Sequence, residues 1–247
     1  MGQLIKLQDY VSRYEVDMFR YPGQFIRMKK QQWARTKAKK SGSVDNLKHQ
    51  FLDHILEFQM KWASSTVREK SYVDREFYKD PDLKYFLQRF PDTYLVLYRP
   101  IFKLKKAPVE VEIILISPTT TWLITILEGE ENSVFLGSNE RFWTEKRGRH
   151  EKKILSPMIE LDRMDGIVRT IYSLYGIELP IRKVILNRTG FVDFPLAPFD
   201  VELVEKRNYE EWFTSLRNMS SPLKHMQLKA GNALLQYCQT VCVRRMD

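Results

Sequence analysis

Between residues 94 and 136 the chain carries short runs of aliphatic, β-branched and aromatic residues, at 94–98, 109–116, 121–127 and 133–136, punctuated by turn residues. Runs of that length and composition read as strands in a meander. A helix stands on either side. Asp80-Pro81 supplies a side-chain cap and a proline at the first helical position, with Leu83, Phe86, Leu87 and Phe90 as the buried side and Pro91-Asp92 as the stop. Ser156-Pro157 opens a longer amphipathic helix through Met164, Ile167, Val168, Ile171 and Leu174, ended by Gly176. Residues 182–187 and 201–204 read as the last strands, the first of them apolar at its centre, as a strand buried on both faces would be. The order predicts an α/β fold with a mixed central sheet and flanking helices.

Upstream, Leu7, Tyr10, Val11, Tyr14 and Met18 recur at helical spacing and Pro22-Gly23 interrupts them, which predicts two short helices. After a Ser41-Gly42-Ser43 break, Leu47, Phe51, Ile55, Phe58 and Trp62 form an apolar stripe on a helix over residues 44–63. That stripe must dock on the following domain or on another chain. Asn208 with Glu211 makes a capping-box start, and a final helix is expected from Pro222 towards Val241. The expected division is a helical N-terminal segment (1–70), an α/β domain (71–207) and C-terminal helices (208–247).

The formal charge of +9 is concentrated near the start. Arg27, Lys29, Lys30, Arg35, Lys37, Lys39 and Lys40 occupy a stretch with no acidic residue. Such a block suits nucleic-acid phosphates or anionic lipid headgroups, whose contacts need little fixed geometry. It is equally a solvated helix face, since one tryptophan lacks the interleaved aromatics of a single-strand platform. No apolar run of about 18 residues and no leader with a small-residue cleavage site is present, so neither a transmembrane segment nor a secretion signal is expected, and the cytoplasm is the default. Cys238 and Cys242, four apart, would share a helical face as buried thiols rather than form a disulfide or a zinc site. His49 and His54 fall off one face, His150 sits in a basic turn, and Asp162 and Asp165 read as the polar side of the long helix. The proline-rich stretch 191–199 is expected to cover a sheet edge or to form a contact patch.

The candidate chemistry lies in the expected hairpin of 109–116 with 121–127. With its turn centred on Thr119, Glu112 falls opposite Ile126 and Glu110 opposite Glu128, all on one face. Glutamates within apolar strands are costly unless wet, paired or gathered around a cation. The succession of a helix with Leu83 and Leu87, Asp-Thr-Tyr-Leu-Val-Leu, VEVEIILIS, TWLITILEGE, Trp143, Ser156-Pro157-Met158 and KVIL resembles the nuclease-related domain (NERD) of the PD-(D/E)XK nuclease-like superfamily. The resemblance spans residues 75–205 and rests on element order and hydrophobic pattern.

The resemblance implies an acidic residue on the first hairpin strand and a Glu-x-Lys on the second, together binding a divalent metal and positioning the attacking water. Glu112 matches the first acidic position. The Glu-x-Lys falls on Ile126-Leu127-Glu128, so a carboxylate has become isoleucine and the lysine a glutamate. The helix that begins Asn-Pro with a later glutamine reads Ser156-Pro157-Met158-Ile159-Glu160, and the opening Gly-Glu is missing before Asp80-Pro81. The expectation is a catalytically inactive nuclease-derived domain with no cofactor, serving as a binding or scaffold module, with a protein partner or self-association through the N-terminal helices. Two alternatives stand beside it. One is a divergent nuclease holding Mg²⁺ on Glu110, Glu112 and Glu128; the other is a nucleic-acid or membrane-surface adaptor acting through the basic stretch.

Overall fold

In a computed structural model of the chain, residues 1–39, 44–104, 107–219 and 221–245 are described. β1 (Gln3–Leu7) is followed by a 3₁₀ turn at Arg13–Glu15 and by two long helices, α1 (Tyr21–Lys39) and α2 (Val44–Trp62). The short β2 (Glu69–Lys70) and a second 3₁₀ turn at Arg75–Tyr78 lead into α3 (Pro81–Arg89). Next come β3 (Leu95–Tyr98), β4 (Ile101–Leu104), β5 (Ala107–Glu110), β6 (Ile113–Ile116), β7 (Thr121–Ile126), β8 (Val134–Leu136), β9 (Phe142–Arg147) and β10 (His150–Leu155). α4 (Pro157–Tyr175), β11 (Ile181–Leu186), β12 (Phe191–Asp193), β13 (Val201–Val204), α5 (Tyr209–Asn218), α6 (His225–Tyr237) and β14 (Val243–Arg244) complete the order.

The central sheet is mixed, with strand order β1-β3-β6-β7-β11-β13. β6 runs antiparallel to both β3 and β7, while β1–β3, β7–β11 and β11–β13 are parallel. The parallel step from β7 to β11 needs a crossover, which α4 supplies. Ser156 Oγ accepts the Met158 N–H at its start, and Gly176, at φ +56°, closes its end in the left-handed conformation that glycine adopts without a Cβ penalty. Strand alternation divides the core in two. Ile5, Leu95, Leu97, Ile114, Leu123 and Ile185 face α4 and α6, whereas Leu4, Val96, Ile113, Leu115, Ile124 and Val184 face α3 and α5.

Several expectations are corrected at the N-terminus. Residues 4–7 form β1, not a helix, and tie the expected N-terminal segment, residues 1–70, into the same sheet as the α/β region. Every residue of β1 is buried, so its sequence carries neither a helical nor an alternating signature. Even Lys6 is enclosed, its ammonium donating to Glu15 Oε1 at 2.5 Å, to Tyr10 O and to Thr240 Oγ1. Pro22-Gly23 lies in the first turn of α1 and does not interrupt it, because a first-turn proline lacks only an N–H that has no intrahelical partner anyway.

The apolar stripe of α2 is used within the chain. Leu47, Phe51, Ile55 and Trp62 are buried, with Phe51 4.9 Å from Trp33 of α1 between ring centroids and Trp62 6.0 Å from Phe25. Gln59 Oε1 accepts the Leu4 N–H, so α2 also covers the edge of the sheet.

Towards the C-terminus, Asn208 starts α5 without a side-chain cap bond. Its amide instead accepts the Glu205 N–H and donates to Leu203 O. The last helix stops at Tyr237, so Cys238 and Cys242 share no helical face; Cys238 bridges to Phe102, and burial pushes its thiol up to about 12. The polar hairpin β9–β10 has no apolar alternation and was not foreseen. In the stretch 191–199, β12 pairs with β8 and Phe194 packs on the buried Trp143 at 4.9 Å, while Leu196 and Phe199 are exposed.

Candidate functional site

A corner at the end of β3 determines where the acidic residues fall. Arg99 adopts φ +49°, its N–H donates to Glu112 O at 2.7 Å, and Val111 N–H donates to Pro100 O at 3.1 Å. This splits the expected strand 109–116. β5 pairs with β4 outside the main sheet, placing Glu110 opposite Ile101, and β6 begins only at Ile113. The β6–β7 register runs from Ile113↔Ile124 to Ile116↔Thr121, one residue away from the expected one, because the turn closes tightly with Ser117 N–H on Thr120 O and Thr120 N–H on Ser117 Oγ. Glu112 therefore does not stand opposite Ile126, nor Glu110 opposite Glu128. Glu112 still reaches β7 through its side chain, Oε2 accepting the Ile126 N–H at 3.0 Å.

All five residues singled out from the sequence, Glu110, Glu112, Ile126, Glu128 and Glu160, line one cavity of about 550 Å³ at these strand ends. Sequence reasoning missed three of its neighbours. Asp82, in the first turn of α3, and Arg99 line the same space, and Arg188, just after β11, ion-pairs with both Glu128 and Asp82. Arg188 also lies over the Tyr85 ring at 4.6 Å. No local pattern links positions 82, 128 and 188; only the parallel placement of β11 beside β7 brings Arg188 to Glu128.

Burial pushes the Glu112 carboxyl up to about 7, opposed by the Ile126 N–H and reinforced by nearby Glu160. Glu160 is itself raised by burial, with Arg163 at 3.1 Å working against that. Asp82 is raised by burial against the pull of Arg188. Glu110 pairs with Arg99 at 2.9 Å. Among the described residues no group of three or more His, Cys, Asp or Glu is arranged to hold a metal ion. Glu110, Glu112 and Glu128 share the cavity without forming such a group, each drawn towards a different donor.

The basic stretch lies on α1. Arg27, Lys30, Arg35 and Lys37 are exposed, whereas Lys29 ion-pairs with Asp92. Lys37 sits over the Trp33 ring at 5.1 Å. Lys39 is the last residue of the helix, and Lys40 with the Ser41-Gly42-Ser43 break lies outside the described residues. His49, His54 and His150 are exposed, and Asp162 and Asp165 are in ion pairs with Lys183 and Arg169.

No family model matches the chain, and no solved structure matches it. Among curated proteins it is similar to an RNA 2',3'-cyclic phosphodiesterase of Geobacillus stearothermophilus, 56% identical over 39 residues, which are 16% of this chain and 12% of that protein. A match of that length carries neither a family nor a fold. No helix among the described residues is long and apolar enough to cross a membrane.

Proposed function

We propose that this chain is a nuclease-derived domain of the NERD type that has kept its scaffold, lost metal-dependent phosphodiester cleavage, and works as a binding or scaffold module. The order α3, antiparallel β3-β6-β7, crossover α4 and parallel β11 supports the scaffold, as does the gathering of Glu112, Ile126, Glu128 and Glu160 at one end of the sheet. The observation that carries the loss of chemistry is Ile126. Its aliphatic side chain lines the cavity where the resemblance calls for a second oxygen ligand. Two residues on, the expected lysine is Glu128, whose charge is matched by Arg188.

A hard divalent cation needs several oxygen donors free to turn towards it. Here Glu110 and Glu128 face arginines, and Glu112, whose carboxyl burial raises to about 7, keeps one oxygen on a backbone N–H. A single well-placed electrostatic group is often worth about 3 kcal/mol of transition-state stabilisation, so removing both a ligand and a cation is severe. With the α2 stripe buried inside the chain, what the N-terminal helices offer a partner is the outer face of α1, with Arg27, Lys30, Arg35 and Lys37.

The test is incubation with single- and double-stranded DNA in Mg²⁺ or Mn²⁺. No cleavage is expected above that of the Glu112→Ala variant. Metal-dependent cutting that disappears in Glu112→Ala would overturn this reading in favour of a divergent nuclease using Glu110, Glu112 and Glu128.

A further inference from the structure

A second charged cavity has the opposite sign and uses none of the residues above. About 850 Å³ in volume, it opens where the turn before α1, the segment after α2 and the C-terminal strand meet. Arg13, Arg68, Arg244 and Arg245 line it, against the single carboxylate of Glu69. They come from distant parts of the chain and are held by backbone bonds. Arg244 is the strand partner of Glu69 in the β2–β14 ribbon, Arg245 N–H donates to Arg68 O at 2.8 Å, and Val241 bridges to Tyr10.

Arg13 is the least exposed of the four. Its guanidinium carbon lies 5.0 Å from the Trp62 ring centroid and 6.0 Å from that of Tyr21, and its Nε is buried with no hydrogen-bond partner. A guanidinium packed on aromatic rings keeps its in-plane donors for a bidentate oxyanion, the geometry in which arginine recognises phosphate. Among the described residues the arginines in ion pairs are Arg99, Arg147, Arg163, Arg169, Arg188 and Arg207, and none of these belongs to this cavity. Glu69 offsets only part of the charge, since it is the one carboxylate lining the cavity against four guanidinium groups. Four arginines lining one cavity against a single carboxylate carry a repulsion that a bound polyanion would relieve.

The walls are not purely polar. Tyr21 and the exposed Val16 and Val67 give an organic group something to lie against, and the volume falls within the range of about 300–1,000 Å³ typical of small-molecule sites. We propose that this cavity binds a phosphate ester of nucleotide size, its di- or triphosphate held by Arg13, Arg68, Arg244 and Arg245 and its organic part against Tyr21, Val16 and Val67. The assignment is independent of the nuclease-derived reading and stands or falls separately from it.

The experiment is calorimetric titration of the full chain with ATP, pyrophosphate and adenosine, repeated on Arg68→Ala/Arg244→Ala, whose side chains are exposed, and on Arg13→Gln. ATP should bind with a dissociation constant below about 1 mM, pyrophosphate should compete, and adenosine alone should not bind. The double variant should lose about tenfold or more in ATP affinity with a melting temperature that does not fall. No heat from ATP or pyrophosphate at about 5 mM, or an affinity indifferent to the arginine changes, would overturn the proposal. So would an oligonucleotide lacking a terminal phosphate that binds as well as ATP and is not displaced by pyrophosphate, since that marks a general polyanion surface.

Discussion

In the cavity at the ends of β6 and β7 each carboxylate has found a partner inside the chain: Glu110 with Arg99, Glu128 and Asp82 with Arg188, Glu160 with Arg163, and Glu112 with the Ile126 N–H. In the cavity beside β14 four arginines stand against the one glutamate, Glu69. Both are clusters of like charge. In the first, three arginines and a backbone N–H engage the five carboxylates; in the second, Glu69 is the one carboxylate among four arginines. Whether a charged cluster is structural or functional is therefore read from its partners, and the number of charges alone does not decide it.

That contrast can be tested from both sides. The largest effect should come from Arg188→Ala, which leaves Asp82 and Glu128 facing each other without a cation. Stripping one member from a largely buried ion-pair network costs about 3 kcal/mol, measurable by denaturant unfolding at pH 7. The loss should shrink near pH 4, where protonation removes the stranded charges; an equal loss at both pH values would show that packing on Tyr85, not charge, is what Arg188 supplies.

Glu112 comes next. Its carboxyl titrates at about 7 in the folded chain against 4.5 ordinarily. Between those values the unfolded chain has released the proton while the folded chain keeps it, so stability falls as pH rises through the window and is level above it. Glu112→Gln should abolish that slope and raise stability at pH 8 by about 2 kcal/mol. A wild-type stability independent of pH between 4.5 and 7 would contradict the burial assigned to this group.

The smallest effect tests the other cavity. Val67→Glu adds an acid beside the unpaired arginines and should stabilise the fold by about 0.5 kcal/mol at low ionic strength, fading near 1 M salt. The same substitution should weaken ATP binding. Tighter binding would break the comparison.

Much of the scaffold was legible because local chemistry decides it. Asp80 caps α3, accepting from Asp82 N–H and Leu83 N–H, and Ser156 and Gly176 delimit α4 where the sequence placed them. The apolar run of β11 marked a strand buried on both faces. β1 was misread because total burial erases periodicity and Lys6 hides inside the fold. The site was half legible. Glu110, Glu112, Ile126, Glu128 and Glu160 do share a cavity, yet by a different route from the hairpin opposition expected, since a non-glycine residue at φ +49° breaks the strand at a point no local pattern marks.

By itself, the sequence determined the helices from α2 onwards, most of the strands of the central sheet, and the replacement of a carboxylate by Ile126, because caps, turn residues and apolar period act within a few residues. The tertiary structure alone decided the register of β6 on β7, the pairing of Arg188 with Asp82 and Glu128, and the meeting of Arg13 and Arg68 with Arg244 and Arg245. Charges separated by tens to hundreds of residues interact only once the chain has folded, and short-range patterning carries no record of which of them will meet.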